Sequence, residues 1–185
     1  MAILSFSELK QVCERENKTI FEIAQENEAT LSDEIVDVVR LKVLEDLLAM
    51  KGAIRNGLKS TEKSISNWCG DDCAKLVEKF QKRGALFGKT FEKIVTYAIA
   101  TAEENLRMGR IVACPTAGSC GIVPAVIVAV AEENNISEAE QVNALLSAGM
   151  VGLLVSNQGQ MAGAVAGGQA ECGVASAKAA GALTQ

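Results

Sequence analysis

Met108-Gly109-Arg110-Ile111-Val112-Ala113-Cys114-Pro115-Thr116-Ala117-Gly118-Ser119-Cys120-Gly121-Ile122-Val123-Pro124-Ala125-Val126-Ile127-Val128-Ala129-Val130-Ala131-Glu132-Glu133 is the stretch on which the reading of this chain turns. Between Arg110 and Glu132 it carries no charge. The apolar run Ile111–Cys114 could form one extended segment, but no further alternating strands accompany it, so there is no sheet for it to join. After the small-residue connector, Pro124 falls in a first helical turn, where its missing N–H leaves nothing unsatisfied, and a helix is expected to reach Glu133 before Asn134-Asn135. A second uncharged stretch runs from Gln141 to Ala170. Two such stretches raise a membrane-spanning reading. The first is broken by Pro115, Gly118, Gly121 and Pro124, the second by Ser156-Asn157-Gln158-Gly159-Gln160, so buried helices of a packed core, some covered by a partner subunit, fit better.

Outward from this stretch the charge is one-sided. The last 75 residues hold only Glu132, Glu133, Glu138, Glu140, Glu171 and Lys178, leaving 35 of the 41 charged residues before Ile111. Helix start signals recur at Ser5-x-x-Glu8, Thr19-x-x-Glu22 and Ser137-x-x-Glu140, where a hydroxyl caps an orphan N–H and the carboxylate reaches back. The apolar spacing of Ile35, Val38, Val39, Val43, Leu44, Leu47 and Leu48 predicts a helix from Ser32 to about Arg55, stopped by Asn56-Gly57. Further helices are expected over 72–82, 89–107, 145–155 and 172–183. The fold class is therefore all-α. One domain covers 1–185, with a helical N-terminal part over 1–56 and a motif-bearing part over 57–185. The Ala-rich pattern reaches Gln185 without a stop signal, which suggests a fragment or one half of a split protein.

Composition narrows the chemistry. With 185 residues, 49% of them apolar, the chain can bury a sizeable core and disorder is excluded. A net charge of −5 without a basic stripe lacks the footprint of a nucleic-acid binder. Zero His against six Cys removes imidazole as base, shuttle or ligand and leaves thiolates as the softest donors. The N-terminus lacks the pattern of a secretory signal, which points to a reducing cytoplasm and free thiols.

Several motifs have ordinary explanations. Gly84-Ala85-Leu86-Phe87-Gly88-Lys89-Thr90 is one residue short of a phosphate-binding loop and follows no strand, so a turn with Thr90 as N-cap is expected. Cys69-x-x-x-Cys73 has no second pair at zinc spacing; Cys69 fits a turn, Cys73 a small buried hydrophobe, and Cys13 likewise. Trp68 is expected to pack its loop. The connector Cys114–Gly121 is different: Gly118 and Gly121 would let backbone N–H groups approach a ligand, and the following helix dipole with Thr116 and Ser119 as donors would favour a carboxylate. Glu103, Glu104 and Asn105 close the preceding helix near its mouth. The second glycine-rich run, Met161–Gly173, holds Gln169, Glu171 and Cys172, the last a candidate thiolate at a helix start.

Taken in order, Gly57-Leu58-Lys59-Ser60, Gly70-Asp71-Asp72, Ala102–Asn105, Met108-Gly109-Arg110, Pro115–Ala125 and Met161–Ala182 resemble the α chain of the iron–sulfur-dependent L-serine dehydratases (L-serine ammonia-lyases). The resemblance implies a largely helical catalytic domain that turns L-serine into pyruvate and ammonia in amino-acid catabolism. It implies a [4Fe–4S] cluster, held by three cysteines, whose open iron takes the substrate hydroxyl as Lewis acid. It implies a β chain as partner, in a hetero- or homo-oligomer. By resemblance Lys59, Ser60, Glu104, Asn105, Thr116, Ala117, Gly118 and Ser119 contact the substrate, while no residue is singled out as the base. The family's second loop reads Gly-Gly-Cys-Gln-Ala-Glu, with that Cys a cluster ligand. Here Gly168 stands in its place and Cys172, four residues on, is the nearest substitute. The other two family ligands lie in a Cys-Asp-Pro-Val-Ala-Gly stretch and a later Pro-Cys that this sequence does not contain. A degenerate relative that binds a small molecule or a partner without chemistry is the alternative.

Overall fold

A computed structural model describes residues 3–83, 87–159, 161 and 163–184. The chain runs through α1 (Phe6–Glu16), α2 (Ile20–Ser32), α3 (Val36–Lys59), α4 (Asp72–Arg83) and α5 (Lys89–Leu106). A single 3-10 turn, Ala117–Ser119, precedes α6 (Ile122–Asn134), α7 (Glu138–Gln158), the one-turn α8 (Gly163–Ala166) and α9 (Gly168–Ala182). No strand occurs among the described residues, as the all-α reading requires.

α6 is the centre of the bundle, packed on α3, α5, α7 and α9. Its Val123, Ala125, Ile127, Val128 and Ala129 are buried, beside Leu47 and Met50 of α3 and Leu154 of α7. The uncharged stretches thus face protein, where removing their apolar surface from water drives folding. The segments Ala117–Asn134 and Glu138–Gln158 are long and apolar enough to cross a membrane by length and composition, and about half of each is already buried within the bundle.

Local signals set several boundaries. Ser137 receives the Glu140 N–H and Glu140 bonds back to Ser137 N at 3.0 Å, a complete capping box for α7; Thr19 and Glu22 form another for α2. At α1, Ser5 takes the Glu8 N–H, while the Glu8 carboxylate reaches Leu4 N instead of Ser5 N. Asn135 ends α6 in the left-handed region at φ 55°.

Other expectations are corrected. Ser32 closes α2 and Asp33 caps it, so the long helix starts at Val36 and not at Ser32. Asn56-Gly57 does not stop it. α3 runs on to Lys59 because Gly57 is a contact: a Cβ there would overlap the Ala100 backbone of α5. α7 begins seven residues before Leu145, at its capping box, and α9 begins at Gly168, so Gly168–Cys172 forms its opening turn rather than a loop. Gly88, at φ 94°, is the N-cap of α5, in place of Thr90; Gly84, Ala85 and Leu86 of the loop-like motif lie outside the described residues. Trp68 is 92% exposed. Its turn is closed by Ser64 N donating to Cys69 O at 2.7 Å with Asn67 left-handed, which directs the indole outward.

Candidate active site

Three consecutive residues at the C-terminal end of α5 point in three directions, as the helical rotation between neighbours requires. Glu103 reaches α4: its Oε1 accepts the N–H groups of Asp72 at 2.7 Å and Cys73 at 3.2 Å, the orphan donors of that helix start. Glu104 reaches α3, accepting Asn56 Nδ2 at 3.2 Å. Asn105 reaches the connector, donating Nδ2 to Ala117 O at 3.1 Å. Both glutamates are buried, at 3% and 9% exposure, so they are not solvated helix-end charges.

A buried carboxylate pair needs a cation. Arg107, one turn on, supplies it: Nη1 lies 3.6 Å from Glu103 Oε2 and Nη2 3.5 Å from Glu104 Oε2, while Nη1 also donates to Glu62 O at 3.2 Å. The ionic contacts are close, yet Glu103 Oε2 and Arg107 Nη2 lack an aligned hydrogen bond. Gly109 completes the turn, its N–H on Glu104 O at 2.9 Å, and any Cβ there would collide with the Glu104 carboxylate. Between α3 and this turn opens a cavity of about 390 Å³ lined by Asn56, Lys59, Ser60, Glu62, Glu104, Arg107 and Gly109. Lys59, Ser60 and Glu104, far apart in sequence, therefore share one wall space. Arg107 and Asn56 were missed by sequence reading; the signal for Arg107 was its helical spacing of three and four from the two glutamates.

The connector stands beside this cavity without lining it. Ser119 is 2% exposed and its Oγ lies 3.2 Å from Thr116 Oγ1 and 3.4 Å from Cys114 O, so its hydroxyl ties the loop together and is no free donor. Gly121 is also internal: a Cβ would meet the Ala98 backbone of α5, which makes it a helix contact and not an approach for ligand. Gly118 is exposed, and the Glu171 carboxylate of α9 lies against it. A Cβ on Gly118 would stand 2.7 Å from Glu171 Oε1, and one on Gly163 2.5 Å from Oε2. The two glycine-rich motifs, some fifty residues apart, thus meet through one carboxylate.

The thiols divide sharply. Cys73, Cys114 and Cys120 are buried, and Cys69 and Cys172 exposed. Burial pushes Cys73 up to about 11, with the Glu103 charge adding, and Cys120 up to about 11, with Cys114 adding. Cys172 stands alone on the first turns of α9, one turn beyond Gly168, whose position is open to solvent with nothing within 4 Å of a Cβ. No group of three His, Cys, Asp or Glu placed to hold a metal occurs among the described residues.

Comparison with known proteins places these motifs. The serine dehydratase alpha chain family matches residues 15–185. A probable L-serine dehydratase alpha chain of Bacillus subtilis (strain 168) is 34% identical over 182 residues, covering 92% of this chain and 60% of the relative. The L-serine dehydratase alpha chain of Peptoniphilus asaccharolyticus is 33% identical over 180 residues, covering 96% and 61%. An L-serine dehydratase of Helicobacter pylori (strain ATCC 700392 / 26695) is 32% identical over 186 residues, covering 97% and 40%. The chain thus spans about three fifths of the length of the two alpha-chain relatives. Through its match over 15–185 and the two motifs joined at Glu171, the chain belongs to the serine dehydratase alpha chain family.

Proposed function

We propose that this chain serves an L-serine dehydratase of the cytoplasm, in which L-serine is converted to pyruvate and ammonia, and that it works with a β chain. The observation that carries the reading is the convergence on one helix end: Lys59, Ser60 and Glu104 line one cavity while Asn105 holds Ala117 of the connector. A zwitterionic amino acid suits this cavity. Its carboxylate meets Lys59, Arg107 and the Ser60 hydroxyl, and its ammonium meets Glu104, in a partly desolvated space where such charge-assisted hydrogen bonds are strong.

A [4Fe–4S] cluster, which the resemblance implies, does not fit the donors of this chain by themselves. The described residues bring one exposed thiol, Cys172, to α9 where three thiolates are needed, and Gly168 offers no donor. This chain's own residues contribute substrate binding and orientation. Elimination requires loss of the Cα proton and of hydroxide from Cβ, then hydrolysis of the aminoacrylate through its imine.

The test is pyruvate release from L-serine by the full chain, alone and co-purified with a β chain, after anaerobic reconstitution with iron and sulfide, alongside calorimetric titration with L-serine. Lys59→Ala and Glu104→Gln are expected to weaken L-serine binding tenfold or more. Neither pyruvate nor L-serine binding under any combination would overturn the reading.

A further inference from the structure

A second cavity, of about 450 Å³, lies between α2, α3, α7 and α9 on the far side of the connector, bounded there by Val112, Ala113 and Cys114. Its size lies within the range of small-molecule sites. The walls are aliphatic, with Val39, Val43, Leu146 and Leu153 among them. Five charged residues face it: Glu28 of α2, Glu34, Lys42 and Asp46 in or just before α3, and Lys178 of α9. Lys42 and Glu34 satisfy each other at 2.6 Å. Lys178 and Asp46 do not pair, with each other or with any other described residue.

Lys178 is the only cation after Arg110. Its stem lies on Gly152 of α7, where a Cβ would stand 3.1 Å from Cδ and Cε and 3.2 Å from Nζ, so the missing side chain at Gly152 makes its berth. Lys178 is half-buried, so its stem covers apolar surface while its ammonium stays at the cavity, without an anion among the described residues. Asp46 belongs to the same lining on its solvent-exposed side, and partial desolvation, with Glu45 adding and Arg110 opposing, raises its carboxyl above the ordinary range. Cys114 lines the cavity with both residues; burial raises its thiol, while the Lys178 charge lowers it and that of Asp46 adds.

We infer that this cavity is a site for an aliphatic α-amino acid, its carboxylate on Lys178, its ammonium on Asp46 and its side chain among the Val and Leu walls. A cation and an anion that do not pair, on one largely aliphatic lining, match the two ends of a zwitterion. The chemistry differs from the proposed serine site, whose walls are polar, and the inference stands apart from the L-serine reading. Because Cys114 and Ser119 are joined through Ser119 Oγ and Cys114 O, a ligand here would press on the connector from behind.

The experiment is calorimetric titration of the full chain with L-norleucine, with hexanoate and pentylamine as isosteres that each lack one charge. The expected result is saturable binding at one site per chain, at least tenfold weaker for either isostere. Lys178→Met and Asp46→Asn should each weaken L-norleucine at least tenfold with the circular dichroism spectrum unchanged, while Lys178→Arg retains binding. Absence of saturable binding at millimolar ligand would overturn the inference, as would binding that survives both charge-removing substitutions. Loss of L-norleucine binding in Lys59→Ala instead of Lys178→Met would also overturn it, by moving the ligand to the other cavity.

Discussion

Glu103 spends one carboxylate oxygen on the start of a different helix and turns the other toward Arg107. Removing it leaves two N–H groups without their acceptor and the Arg107 guanidinium with one buried carboxylate, Glu104, in place of two. Glu103→Ala is therefore expected to cost about 3 kcal/mol in urea unfolding, within the range for breaking a buried pair, and Glu103→Gln less. The cysteines give a second residue-scale expectation. Cys69 and Cys172 should react with a thiol reagent at neutral pH within the first phase, and Cys73, Cys114 and Cys120 only on unfolding, read by mass spectrometry of the labelled chain. Cys73 and Cys120 also set a pH dependence. Their folded-state values, raised to about 11 from 9.0, mean that between those limits the unfolded chain has released protons the folded chain still holds. Stability conferred by the neutral thiols is full below pH 9 and falls as pH rises toward 11. Urea midpoints measured across that interval should decline, and replacement of Cys73 by Ala should flatten the decline.

At the scale of elements, two glycines of α3 separate space from propensity. Gly52 meets nothing within 4 Å, so Gly52→Ala should stabilise by about 0.5–1 kcal/mol through helix propensity alone. Gly57→Ala should destabilise by about 2 kcal/mol or more, because its Cβ would fall on the Ala100 backbone and force α3 and α5 apart. Thermal unfolding of the two variants is expected to shift in opposite directions. The same pair shows where sequence was legible. Capping boxes are local, and they marked the starts of α2 and α7, as Pro124 and Asn134-Asn135 marked the ends of α6, because neighbours a turn apart decide them. Asn56-Gly57 reads locally as a stop, and only the approach of α5, some forty residues away, converts it into a helix crossing. Gly121 deceived in the same manner, since Ala98 is what requires it.

For the whole molecule, the residues of the proposed site could be named from the sequence, but their arrangement could not. Lys59, Ser60 and Glu104 came from the resemblance, and the structure gathers them in one cavity. Asn56, Arg107 and the seat of Glu171 on Gly118 depend on how α3, α5 and α9 cross, which no short motif encodes. Trp68 was misplaced because a lone aromatic says nothing about whether its loop has a surface to cover. The ligand question is testable on the assembled chain. Gly168→Cys places a thiol in open space one turn before Cys172, so it should change stability by less than about 0.5 kcal/mol, the usual scale for unconstrained surface positions. Anaerobic reconstitution should then give more iron per chain than in the parent, measured by metal analysis. The seating of α4 has one further consequence. Because Asp72 and Cys73 donate to a carboxylate anchored beside the cavity, their amide hydrogens should exchange with deuterated solvent at a rate set by how firmly the end of α5 is held. An amino acid captured by Glu104 would slow that exchange without touching α4, making two backbone protons a remote gauge of occupancy.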